Sequence, residues 1–254
     1  RTIDFPLSID SVNGNITLLN NLTLGSTRTL TLTSGNLVIN NYTVSANAVV
    51  STGGNVRGFS FGTTGQVSLV GSNATIWNSN NGSNLTFSGT PIFNSTYTSN
   101  VGTRVFDFGN ISETYSQNVQ VTTGTTGFNI NTANDSVTLT GSINNLDLTG
   151  LLATVTNTAR TIYGNLLIPA TGGTFTAGTT ATTFGTTSDN HTVNTNGRTL
   201  QFPLNFNGVG GNWTLSNALV ANATTALTLT NGQVDFNQKS LTFANITVLT
   251  GNAG

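Results

Sequence analysis

Side chains able to do acid–base, nucleophilic or metal chemistry are scarce in this sequence. His191 is the single histidine, in Asp189-Asn190-His191-Thr192, where an acid two residues away is placed to orient it for acid–base work. A hydrolytic triad also needs a presented serine, and no Gly-x-Ser-x-Gly leading from a strand into a helix occurs. The acids are Asp4, Asp10, Asp107, Glu113, Asp135, Asp147, Asp189 and Asp235. Paired carboxylates that hydrolyse glycosides stand about 5 to 9.5 Å apart, so any such pair here must be brought together by the fold. In the internal repeat described below, Gln201 stands for Asp4 and Asn207 for Asp10. Acids that exchange with neutral amides fit solvated or corner positions, not a catalytic centre.

Metal and cofactor chemistry is no better supplied. With one histidine and no cysteine there is no thiolate or multi-histidine set for zinc. The Gly-Gly-x-Gly-x-Asp coil that binds calcium is absent. Gly53-Gly54, Gly172-Gly173 and Gly210-Gly211 lack the Lys-Ser/Thr of a phosphate loop and read as turn corners. No catalytic, cofactor-binding or metal-ligating residue is assigned, and the chain is read as a non-enzyme.

The elements that would have to position any site are legible in the composition. Of 254 residues only seven are basic and eight acidic, whereas 37 Asn, 50 Thr, 21 Ser and 29 Gly make up over half the chain. A net charge of −1 without a Lys/Arg cluster argues against a nucleic-acid surface and a polybasic membrane anchor. Apolar runs are too short for membrane insertion, and the opening stretch from Arg1 to Asp10 lacks a signal peptide's apolar run. A start at Arg1 without Met reads as processing or as an excerpt of a longer chain.

Residues 1–57 align without a gap on residues 198–254, with 21 of 57 pairs identical, including Arg1-Thr2-x-x-Phe5-Pro6-Leu7 on Arg198-Thr199-x-x-Phe202-Pro203-Leu204. The reading is one continuous segment over 1–254, with 1–197 a complete long repeat and 198–254 the start of the next. A shorter step recurs as Gly, then Asn or Gln, then an apolar residue, at Gly14, Gly35, Gly54, Gly65, Gly211 and Gly232. Its spacing clusters at about 20 residues, within the range of one coil of a solenoid repeat.

Within the coils apolar and polar residues alternate, as in Thr29-Leu30-Thr31-Leu32-Thr33 and Val137-Thr138-Leu139-Thr140. That is the two-residue period of a strand with one buried face. Turn signals such as Asn13-Gly14, Asn81-Gly82, Asn196-Gly197 and Asn231-Gly232 and the scarcity of helix formers leave almost no helix. The expected fold is all-β: a parallel β-solenoid of around 12 coils on the order of 60 Å long, given the spacing between neighbouring strands. The alternative is a set of β-sandwich repeats built from Asn-Gly hairpins.

Three surface features remain. Asn-x-Ser/Thr sequons, among them Asn15, Asn21, Asn41, Asn73, Asn84, Asn94, Asn212, Asn222 and Asn245, are as frequent as composition alone predicts. Thr29-x-Thr31-x-Thr33 and Thr228-x-Thr230 offer local rows of the kind an ice-binding face uses, without a match in the coil near Gly54. Phe59-Ser60-Phe61, Phe106-Asp107-Phe108 and Trp77 read as core stacks rather than a sugar-binding strip.

Residues 198–211, 30–37 and 158–166 resemble long, repetitive Asn/Thr/Gly-rich proteins of marine phages and bacteria that are described as tail-fibre-like or adhesin-like. The resemblance implies a fibre of tandem solenoid units, placed outside the cell, on its surface or in a virion, with recognition elsewhere in the parent chain. The function expected is a structural rod that partners with itself, by tandem repetition or end-to-end assembly. The alternative is a fibre or adhesin module that binds a cell-surface glycan or receptor, ahead of an ice-binding solenoid or a polysaccharide-degrading β-helix. Strand facing gives the first test. Leu32→Ala is expected to cost about 2 to 5 kcal/mol and Thr31→Ala under about 1 in denaturant unfolding, and equal small losses would overturn the assigned faces.

Overall fold

Alternation along the chain becomes stacking across it. The computed structural model describes residues 1–71, 75–82, 84–89, 92–95, 103–110, 117–120, 129–130, 136–149, 151, 153–188 and 190–249, with backbone alone at 92–95, 117–120, 129–130 and 136. Among these residues there is no helix, and every strand pairing is parallel. The fold is a β-solenoid, and the hairpin-built sandwich is excluded because a hairpin pairs its strands antiparallel. Asn13 (φ 57°) and Asn196 (φ 49°) instead turn solenoid corners in the left-handed conformation that Asn tolerates.

There are about nine turns with a step near 22 residues, fewer than the twelve expected. The difference lies in the middle coils. Thr29 pairs with Ala48 across a short coil, but Val49 pairs with Trp77 and Thr103 with Ser136 across much longer ones. Nine coils at about 4.8 Å each give a rod of roughly 40 Å.

Each early coil has three sides. The first carries Thr2–Ile3, Leu22–Leu24, Thr43–Ala46 and Gln66–Leu69, one above another. The second and third are the two halves of bent strands: in Thr29–Asn40, Leu30 pairs with Val49 on one side while Leu37 pairs with Phe59 on the next. Inward residues therefore form columns. Leu30, Val49, Trp77, Phe106 and Leu139 succeed one another by register, and all are buried. In the second half Ile143, Ile162, Phe184 and Phe206 do the same, with Phe184 and Phe206 stacked at 4.6 Å. Each such side chain contributes about 1.5 to 3 kcal/mol of burial, and the column sums these along the axis. The aromatic pairs Phe59/Phe61 and Phe106/Phe108 are core residues, as their spacing predicted.

The repeated Gly-Asn/Gln-apolar step misplaces one coil. Gly35 pairs with Arg57, Asn36 with Gly58 and Leu37 with Phe59, so Gly54-Asn55-Val56 precedes the strand and Val56 is exposed. Gly65-Gln66-Val67 belongs to another side, since Val67 pairs with Val44. That accounts for the irregularly short interval from Gly54 to Gly65.

The two ends of the chain reproduce one another in register. Leu7 pairs with Leu30 and Ile9 with Leu32; at the equivalent positions of the second copy Leu204 pairs with Leu227 and Phe206 with Leu229. The breaks in register recur too, after Ile9 and Asp10 and after Phe206 and Asn207. So do the left-handed corners Gly35/Gly232 and Asn40/Asn237. The second copy is rotated by about one side. Val137, Val155 and Phe175 lie on the side of the rod that began at Leu7, in the column beside Leu139, and Arg198 packs over the Phe175 ring, so the residues matching Arg1–Ile3 sit over that side.

Gly35 (φ +79°) has no room for a side chain, because a Cβ there would lie 2.1 Å from the Ser11 carbonyl oxygen. A Cβ on Gly54 meets nothing within 4 Å. Gly35→Ala is expected to lose more than about 2 kcal/mol and Gly54→Ala under about 1 in urea unfolding, and matching losses would show that the corner at Gly35 is not fixed as described.

Candidate functional site

The outer surface is held together by uncharged side chains bonded from coil to coil. Asn165 Nδ2 donates to Asn145 Oδ1 at 2.8 Å, and Asn165 Oδ1 accepts from the Thr192 amide at 2.7 Å. Asn217 Nδ2 donates to Asn194 Oδ1 at 2.8 Å, and Asn231 Nδ2 to Asn207 Oδ1 at 2.6 Å. An amide carries both donor and acceptor, so it bonds the coil above and the coil below at once. A carboxylate repeated at about 4.8 Å would repel its neighbour instead.

Four of the described acids are held in separate local contacts. Asp4 pairs with Arg28 at 3.1 Å, the one ion pair among the described residues. Asp10 accepts a bond from Ser34, Asp147 caps its own turn through Thr149, and Asp235 accepts from the Asn237 amide. Glu113, Asp135 and Asp189 lie outside the described residues. His191 pairs with Trp213 on the neighbouring coil and bonds Thr186 Oγ1 through Nε2 at 3.2 Å. Threonines align in register as Thr161, Thr183, Asn205, Thr228 and Thr247, and separately as Thr154 with Thr174 and Thr192 with Thr214. The positions neighbouring the first line are Tyr163, Gly185 and Asn207, so no second threonine row runs beside it.

Arginine behaves unexpectedly. Arg57, Arg104 and Arg160, three of the seven basic residues, are buried. Each occupies an inward strand position two residues before a buried Phe59, Phe106 or Ile162. That shared parity was the sequence signal that could have found them. Arg57 donates to Ser51 Oγ and to the Ser51, Asn55 and Asn81 carbonyls, and so closes a corner; desolvation lowers its pKa. Desolvation also pushes Arg160 down to about 10, still far above neutrality, so the guanidinium remains charged.

Arg160 lines a cleft of about 330 Å³ that runs across five coils. Four of these coils each contribute one small residue to its lining, Gly109, Gly141, Ala159 and Ala181. Gly109 (φ +67°) and Gly141 (φ +90°) are packed so closely that a Cβ on Gly141 would lie 2.5 Å from the Gly109 nitrogen. Asn80, Asp107, Asn110, Thr140, Thr161 and Thr183 complete the lining.

The first and last described coils differ in exposure from their counterparts in the other copy. Phe5 is 61% exposed on the first coil, while its counterpart Phe202 is 5% exposed under Phe175, at 5.9 Å between ring centroids. At the other end Phe236, Ile246, Val248 and Leu249 are exposed, whereas Ile39 and Val49, the counterparts of Phe236 and Ile246, are buried.

No known family, curated protein or solved structure matches the sequence.

Proposed function

We propose that this chain is a structural module of an extracellular, cell-surface or virion fibre, a rod that lengthens by adding β-solenoid units. The observation that carries the reading is the recurrence of pairing register, register breaks and left-handed corners between the two copies of the long repeat. Residues bare at one copy are covered in the other, as with Phe5 and Phe202, so the same coil is built to be sandwiched. Open coil edges carry unpaired amides and carbonyls and exposed apolar columns, which another coil satisfies. The partner is therefore the protein itself, as a tandem unit or a docked copy. Neutral amide and hydroxyl ladders let such a rod grow without accumulating charge. The reading assigns no catalytic step.

Negative-stain microscopy of native material, with sedimentation of the same sample, tests this directly. Unbranched rods much longer than the roughly 40 Å of nine coils are expected. Particles no longer than that, sedimenting as single copies of a chain of 254 residues, would overturn the proposal.

A further inference from the structure

We infer that the open edge at Arg1 and Phe5 is a docking surface for one particular stretch of this protein, residues 172–194 of another copy, the closing coil of a preceding unit. The inference rests on the fibre reading and names the contact through which a unit is added. Among the described residues Leu7–Thr17 pairs only with Thr29–Asn40. Its equivalent in the second copy, Leu204–Leu215, pairs on both edges: Ala226–Asp235 lies along one, and Thr182–Phe184 and Asn190–Asn194 lie along the other. A strand edge with unpaired amides and carbonyls is a template for another strand. Here the molecule itself contains the strands that fill the matching edge.

The filled junction shows what makes the contact. Arg198 donates through Nη1 to the Gly172 carbonyl and through Nη2 to the Gly173 carbonyl at 3.0 Å, and its guanidinium lies 5.8 Å from the centroid of the Phe175 ring. Phe202 packs against the same ring at 5.9 Å. Charge-assisted bonds to two carbonyls and a cation–π contact make this arginine a lock between coils. Beyond it Phe184 stacks on Phe206, and His191 pairs in register with Trp213. Residues 1–7 keep the receiving half, since Arg1, Thr2, Phe5, Pro6 and Leu7 are identical to Arg198, Thr199, Phe202, Pro203 and Leu204. Ile9 and Ile16 stand for Phe206 and Trp213 and are also apolar. Burial follows the pairing: Phe5 is 61% and Ile16 42% exposed, where Phe202 is 5% and Trp213 0%. Residues 172–194 of this chain are already covered by 198–215, so they cannot serve Arg1 as well. The coil that meets Arg1 is therefore the last coil of a unit joined ahead of it, as residue 197 is joined to residue 198.

Extending the full chain tests this. A second copy of residues 153–197 is joined ahead of Arg1, and amide hydrogen exchange in residues 1–17 is compared with and without the added segment. The extension is expected to slow exchange there by about tenfold or more, towards the rate of the equivalent residues 198–214. Arg1→Gln and Phe5→Ala should each cancel about threefold or more of that slowing, the share of a charge-assisted, cation–π and aromatic contact. Phe175→Asp made in the added segment alone keeps the length and should abolish the slowing. No slowing on extension, slowing that survives Phe175→Asp in the added segment, or slowing indifferent to both Arg1→Gln and Phe5→Ala would overturn the inference. Microscopy of native material decides the fibre reading separately. Long rods without slowing would overturn this docking surface alone, and slowing without rods would overturn the fibre reading alone.

Discussion

Backbone hydrogen bonds that run along the axis, coil upon coil, are the constraint from which the rest of this molecule follows. Parallel pairing in register places each residue about 4.8 Å above one of the same facing, so whatever a position carries is repeated up the column. Apolar columns such as Leu30, Val49, Trp77, Phe106 and Leu139 gain from that repetition. Charged columns lose by it, and amide columns such as Asn145 and Asn165 close into ladders. A composition rich in Asn, Thr, Ser and Gly and poor in charge is the chemical consequence of this geometry, whatever the rod is used for.

The same constraint decides what could be read in advance. Strand facing was legible because alternation survives any corner: Leu30 and Leu32 are buried with the polar partners outside, as the sequence pattern requires. The long repeat was legible because its residues and its pairings recur together. The coil count was not, since loops between strands are free to lengthen without disturbing the columns. The coil from Val49 to Trp77 is longer than the one from Thr29 to Ala48, yet Trp77 occupies the next place in the same column. Gly54-Asn55-Val56 misled for a related reason: a corner can carry the motif of a strand start, and only the pairing of Arg57 with Gly35 reveals which residue begins the strand.

Candidate chemistry was the least legible part. Acids and the lone histidine drew attention by residue type, but Asp4, Asp10, Asp147 and Asp235 are engaged in separate local contacts. Arg160 escaped notice because arginine is ordinarily a surface residue, although its parity with Ile162 places it inward. The cleft beside it is lined by Gly109, Gly141, Ala159 and Ala181, contributed by coils of unequal length. No spacing rule in the sequence aligns those four residues. The one-side rotation between copies adds a further consequence: in a tandem array a side-face feature would recur once per unit, turned about the axis each time.

Disulfide trapping tests the central claim of in-register parallel coils most directly, because the chain has no cysteine of its own. Ser8 pairs with Thr31, and Asn205 with Thr228 in the second copy. Paired parallel residues lie at a Cα separation a disulfide can span, about 4.4 to 6.8 Å. The Ser8→Cys/Thr31→Cys and Asn205→Cys/Thr228→Cys double variants should both form an intrachain disulfide in the native state under mild oxidation. Failure of both pairs to cross-link, or cross-linking of one alone, would contradict the account of two copies sharing one register.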